Sequence, residues 1–220
     1  MQVSALISLA LRSHTIRGAL ILTGWLIVVT SFLPFPALAQ TQSQTREITR
    51  LKGDVYRFQN NNHYSVFVVT PAGVLVTDPI NTPAAEWLNA EIARLTDQAI
   101  THLVYSHSHA DHASGGLAFG DGLTVITQES APEKIDGVAP TLRVGQSHSF
   151  GLGGKTIELT ALGPGHGDDL MAMIIRPENV LFVVDAVAAK RLPYRDFPGV
   201  DINGLAAQID KVASLDFDLM

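Results

Sequence analysis

The chain has 220 residues, 46% of them hydrophobic and 16% charged, which is enough apolar material for one ordinary globular domain and too little for two large ones. Its formal net charge is −6 and its Lys and Arg residues form no cluster, which excludes the basic footprint that nucleic-acid binding needs. It contains no cysteine, so disulfides, thiolate metal sites and a cysteine nucleophile are all excluded, and a metal site has to come from His, Asp and Glu.

Residues 1–39 have the layout of a secretory signal peptide. Arg12 and Arg17 make a positive start, residues 19–33 are an uncharged apolar run, Pro34 and Pro36 break it, and Ala37-Leu38-Ala39 supplies small residues before Gln40. The apolar run is shorter than the roughly 20 residues that span a bilayer comfortably. An uncleaved anchor is the alternative. Cleavage after Ala39 removes two arginines and no acid, so the mature chain is more acidic still, and its expected location is periplasmic or secreted, with no membrane association after cleavage.

Residues 40–46 are polar and are expected to be a flexible start, with one domain over 47–220. Short β-like runs follow at 55–58, 64–70 and 74–77, with Pro71-Ala72-Gly73 as a turn. Residues 82–95 predict a helix with Trp87, Leu88, Ile92 and Leu95 on one face and Thr82-Pro83 as its start. Residues 100–105 predict a buried strand, 123–127 another, and 130–134 a short helix. Strands are expected at 141–144 and 155–162 across a Gly-rich turn, then a hairpin of 170–175 with 180–184, and a final helix at 203–215. Hairpins that give way to strands interleaved with helices predict a layered α/β (α+β) domain.

The strand at 100–105 runs into Tyr105-Ser106-His107-Ser108-His109-Ala110-Asp111-His112, three imidazoles and a carboxylate within six residues. In extended backbone, residues i and i+2 point the same way, so His107 and His109 can grip one ion. Asp111 and His112 are neighbours that point differently and suit a second ion beside it. All are nitrogen or oxygen donors of the kind zinc accepts. His166 stands on the tight turn Gly163-Pro164-Gly165, and Asp185 ends the apolar run Leu181-Phe182-Val183-Val184, where a carboxylate without a partner such as a metal is costly.

These pieces, with the run Val74-Leu75-Val76-Thr77-Asp78-Pro79, resemble the metallo-β-lactamase superfamily of binuclear metallohydrolases over residues 47–220. The resemblance implies a four-layer αββα sandwich with the metal loops along one edge. It assigns His107, His109 and His166 to one zinc, Asp111 and His112 to a second, and Asp185 as a bridge, with Asp78 supporting the loops from behind. Simple turn formation is the alternative for Asp78. Where a lactam-hydrolysing subclass has a cysteine, this chain has Asp185, as in the thioesterase and glyoxalase II-type members. The family's last helix is followed by a strand ending in Gly-His that ligates the second metal. This chain stops at what looks like the start of that strand, so the expectation is a C-terminally truncated fold lacking that strand and the C-terminal helix, with the second site short of one ligand and apolar surface exposed.

The implied chemistry is attack of a metal-bound hydroxide on the acyl carbon of a small-molecule thioester, ester, lactone or β-lactam, with Asp111 orienting the nucleophile or taking its proton. Two other classes compete: a mononuclear-iron, sulfur dioxygenase-like enzyme, and a non-enzymatic or decayed periplasmic metal-binding module. Of the remaining histidines, His63 reads as a solvated hairpin residue, with the site mouth as its alternative, and His102 in its strand and His148 in a Ser-rich turn read as structural. Arg191, Tyr194 and Arg195 follow Asp185 and could orient a substrate carboxylate, with a simple solvated loop as the alternative.

Overall fold

The computed structural model describes residues 44–188 and 200–220. The expected signal peptide and the three loop residues Arg191, Tyr194 and Arg195 lie outside the described residues. Among the described residues no helix is long and apolar enough to cross a membrane.

The strands β1 (Arg46–Lys52), β2 (Val55–Asn60), β3 (His63–Thr70) and β4 (Gly73–Thr77) form an antiparallel meander. Helix α1 (Thr82–Leu95) then crosses to β5 (Ile100–Val104), which lies parallel to β4, and β6 (Thr124–Gln128) and β7 (Leu142–Val144) continue in parallel. The result is a seven-stranded sheet in chain order. The second sheet is antiparallel, with β8 (Ser147–Leu152), β9 (Lys155–Ala161), β10 (Met171–Arg176) and β11 (Val180–Phe182) in the order β11-β10-β9-β8. Between β5 and β6 lie the single-turn helix α2 (Ala110–Ala113) and a 3-10 turn at Gly116–Phe119, and α3 (Ile202–Ala213) closes the described chain.

Two apolar clusters explain the layering. Val66, Val68, Leu75, Val104 and Ile126 of the first sheet pack with Ile157, Leu159, Met171 and Met173 of the second, and α3 adds Leu205 and Val212 to this cluster. On the other face of the first sheet, Phe58, Phe67, Val74 and Val76 meet Ala84, Ala85, Leu88 and Ile92 of α1. Helix, two sheets and helix give the expected αββα sandwich. The alternation of inward residues along β3 and β4 splits each strand between the two clusters, which is what a sheet covered on both faces requires.

Helix α1 has its expected limits. Asn81 caps it, its side-chain oxygen accepting from the Ala84 amide at 3.0 Å. Its core face is narrower than the sequence predicts, because Leu95 is 47% exposed and Trp87 is only partly buried, stacked on Phe58 with ring centroids 5.4 Å apart.

Three local expectations are corrected. Residue Arg46, assigned to a flexible start, opens β1, a charged edge strand whose alternation is too weak to announce itself. Residues 130–134 form no helix. The carbonyls of Glu129, Ala131 and Pro132 accept instead from the Arg143 guanidinium, at 3.2, 2.6 and 2.7 Å, and Pro132 offers no amide for a helical ladder. His148 stands in β8 rather than in a turn, its Ser-rich sequence held extended by pairing with β9.

Candidate metal centre

Strand direction decides what meets. β4 and β5 are parallel, so their carboxyl ends bring Asp78 and the Ser106–His112 loop to the same end of the first sheet. β3 is antiparallel to β4, so its start, His63, arrives at that end too. In the second sheet β9 and β11 are both antiparallel to β10 and therefore point the same way, delivering His166 and Asp185 together.

The donors fall into two groups whose ligand atoms lie within 4.8 Å of one another: His107, His109, His166 and Asp185 in one, and His63, Asp111 and His112 in the other. His109 Nδ1 lies 3.1 Å from His166 Nε2. The Asp185 carboxylate oxygen Oδ2 joins the groups: it is 2.9 Å from His166 Nε2, 3.3 Å from His107 Nε2 and 3.3 Å from His112 Nε2. Asp185 also has φ +62°, a left-handed conformation that costs a non-glycine residue on the order of 1–3 kcal/mol and is held by its surroundings.

Support comes from behind. Asp78 is fully buried; its two oxygens accept from the Ser106 amide at 2.7 Å and the Ser106 hydroxyl at 2.6 Å, and Oδ2 lies 3.3 Å from His112 Nδ1. Two residues on, Ile80 adopts φ +70° and donates its amide to the His112 carbonyl at 2.7 Å, tying the β4 loop to α2. Asp78 therefore does more than shape a turn before Pro79. His166 is fixed by a residue the sequence did not single out. Gln208 of α3 is buried, its Oε1 accepts from the His166 amide at 2.8 Å, and its Nε2 donates to the Gly163 carbonyl at 2.6 Å. A side chain at Gly165 would meet Gln208 at 2.6 Å, so the glycine is there for close approach.

For His63 the structure favours the alternative at the site mouth over a solvated hairpin position: its Nε2 lies 3.3 Å from Asp111 Oδ2 and its ring stands edge-on to His112 at 5.4 Å, inside the second donor group. No sequence signal marks it, because only the pairing of β3 with β4 carries it there. His102 and His148 belong to neither group. Both stack on Phe150, at 5.4 and 5.9 Å, in keeping with a structural role.

The electrostatics are those of crowded, opposed charges. Burial opposes protonation of His112, but hydrogen bonds to Asp185 and Asp78 and their charges outweigh it and raise its pKa to about 10. Burial would push Asp185 up, yet the imidazoles of His107, His112 and His166 crowded around its carboxylate hold it far below the usual carboxylate range. Asp111 is also lowered: burial opposes this, and the His112 charge and the His63 hydrogen bond prevail. His109 is lowered by burial and by the neighbouring His107 and His166.

A divalent ion fits this donor set. His107 Nε2 is buried and makes no well-aligned hydrogen bond despite its nearness to Asp185, so its lone pair is aimed into the site without a partner. A sandwich with paired His/Asp donors where its two sheets end defines a metal-binding α+β class of protein. A family model described as the metallo-beta-lactamase superfamily matches residues 60–220, and the chain belongs to that superfamily. It is similar to a lactamase-like protein, nscB, of Aspergillus fumigatus, 26% identical over 69% of this chain and 46% of that one. It is also similar to a hydroxyacylglutathione hydrolase of Brucella ovis, 26% identical over 59% of this chain and 49% of that one. The chain thus spans about half the length of the curated relatives it matches. Among solved structures, a metallo-beta-lactamase from Pontibacter korlensis superposes with a TM-score of 0.68 at 20% identity, over 76% of this chain and 85% of that one, which speaks for the fold alone.

Proposed function

We propose that this protein is a zinc-dependent hydrolase of small acyl compounds, holding one ion with His107, His109 and His166, a second with Asp111 and His112, and both with Asp185. The observation that carries this reading is the Asp185 oxygen, within 3.3 Å of imidazoles from both donor groups. When bound, such ions lower the pKa of a coordinated water from about 15.7 to about 7 and polarise a carbonyl oxygen.

The chain's own residues do the rest. Asp111 is exposed on the open side of the site, where its carboxylate can orient a nucleophilic water and accept its proton. Asp78 and Ser106 keep the imidazole of His112 turned toward Asp185. Thioesters come first in the substrate panel: Asp185 occupies the position where lactam-hydrolysing members with a cysteine ligand differ, and the Brucella relative is named a hydroxyacylglutathione hydrolase. We further propose export to the periplasm or the medium, on the strength of residues 1–39. N-terminal sequencing of the exported protein is expected to begin at Gln40, and retention of Met1 in cytoplasmic protein overturns that part.

The test is metal content of protein purified without chelators, followed by turnover of thioester, lactone and nitrocefin substrates. Two zinc equivalents and hydrolysis of at least one class are expected, and both are expected to be lost in His109→Ala and Asp111→Ala. One iron with oxygen-dependent turnover, or unchanged metal content in both variants, overturns the reading.

A further inference from the structure

We propose that His63, the first residue of β3, is itself a ligand of the second metal position, alongside Asp111 and His112. The inference rests on the binuclear reading above and adds a residue to it. His63 Nε2 is 3.3 Å from Asp111 Oδ2, and Asp111 Oδ2 is 3.8 Å from His112 Nε2. Around a tetrahedral ion with bonds of about 2.0–2.2 Å, ligand atoms stand about 3.3–3.6 Å apart. These two separations lie close to the edges of such a polyhedron, and all three donor atoms fall within 4.8 Å of one another. Asp185, grouped with the first set of donors, has its Oδ2 3.3 Å from His112 Nε2 and would complete a set of two imidazole nitrogens and two carboxylate oxygens by bridging.

The hairpin that carries His63 is built to hold it. Asn60 pairs with His63 across the β2–β3 turn and is buried, its side-chain oxygen accepting from Gln44 and Arg46 at 3.2 and 3.0 Å. Asn61, at φ +55°, accepts from the Thr45 amide at 3.0 Å and donates its own amide to the Thr45 carbonyl at 2.7 Å. The start of β1 and the two residues before it thus brace the turn from outside, and the imidazole is presented on paired backbone rather than on a loose loop. The alternative role is narrower: His63 only hydrogen-bonds Asp111 and steadies it.

Cobalt titration of chelated, full-length protein separates these roles, with metal-to-protein ratio and the visible absorption of the second bound ion as readouts. Wild type is expected to take two ions. His63→Ala and His63→Gln are both expected to keep the first and to bind the second more weakly by more than the roughly 10–100-fold that loss of an outer hydrogen-bonding partner costs, with a changed spectrum. Thermal unfolding of the chelated variants checks that they fold. Wild-type affinity in His63→Ala overturns the proposal, as does rescue by His63→Gln, whose amide can still bond Asp111 but brings no imidazole. A wild type that takes two ions while the variants bind the second with wild-type affinity overturns His63 alone; a wild type that takes none overturns the binuclear reading and this inference together.

Discussion

The side chains that matter most at the residue scale are those with opposed demands. His112 is held between Asp78 and Asp185, and its pKa of about 10 lies above the ordinary 6.5. In chelated protein that pairing contributes stability fully below about pH 6.5, and the contribution is lost as pH rises toward about 10. Asp185 and Asp111, both lowered, contribute above the ordinary carboxylate value and lose it on acidification. Melting of chelated protein is therefore expected to fall both above neutrality and in acid, and a flat profile from pH 6 to 10 contradicts the His112 arrangement. A metal held by His112, as proposed, would have to displace its proton, so calorimetry in buffers of different ionisation enthalpy is expected to report about one proton released near pH 7. Asp78→Ala removes the acceptor of two Ser106 hydrogen bonds and the neighbour of His112 Nδ1. It is expected to weaken metal binding by about 10–100-fold, measurable by competition with a chromophoric chelator.

At the scale of elements, the contact between α3 and the Gly163–His166 turn is the one to probe. Gly204 packs directly on the Pro164 carbonyl, where any side chain would overlap backbone, and Gln208 bridges the turn. Gly204→Ala is expected to cost about 1–3 kcal/mol and to disturb His166, read as a lower melting temperature together with weaker first-ion binding. Gln208→Leu leaves the His166 amide and the Gly163 carbonyl without partners, at about 1–3 kcal/mol each. A Gly204→Ala variant with wild-type melting and metal affinity would show that α3 does not brace the turn. Helix α1 serves the core instead: fully buried Leu88 truncated to Ala is expected to cost about 2–5 kcal/mol without changing metal stoichiometry.

Across the whole molecule, the donors come from both sheets: His63 and the His107–His112 loop from the first, His166 and Asp185 from the second. A metal held by these donors would tie the sheets together only in the folded state and would stabilise by mass action, about 2.7 kcal/mol per site at a free metal concentration 100 times Kd. Chelation is expected to lower the melting temperature by several degrees and zinc to restore it, as scanning calorimetry can check. Equal melting with and without zinc would place the ions outside the sheet junction.

Much of this was legible in the chain itself. The His107–His112 spacing, the glycine turn before His166, Asp185 after an apolar strand and the limits of α1 follow from local rules, because ligand spacing, capping and periodicity act over a few residues. The His107/His109 pair and its separation from Asp111/His112 needed no fold. What tertiary structure alone decided lies at long sequence separation or in weak patterns. β1 and β8 are polar, and only pairing with β2 and β9 makes them strands; the 130–134 segment loses its helix to Arg143, a residue two strands' worth of chain away. His63 and Gln208 carry no motif: strand direction brings one to Asp111, and a glycine-to-glycine approach brings the other to His166. A sequence announces donors that stand together, whereas those that arrive separately are known only once sheet order and helix docking fix where their backbones end.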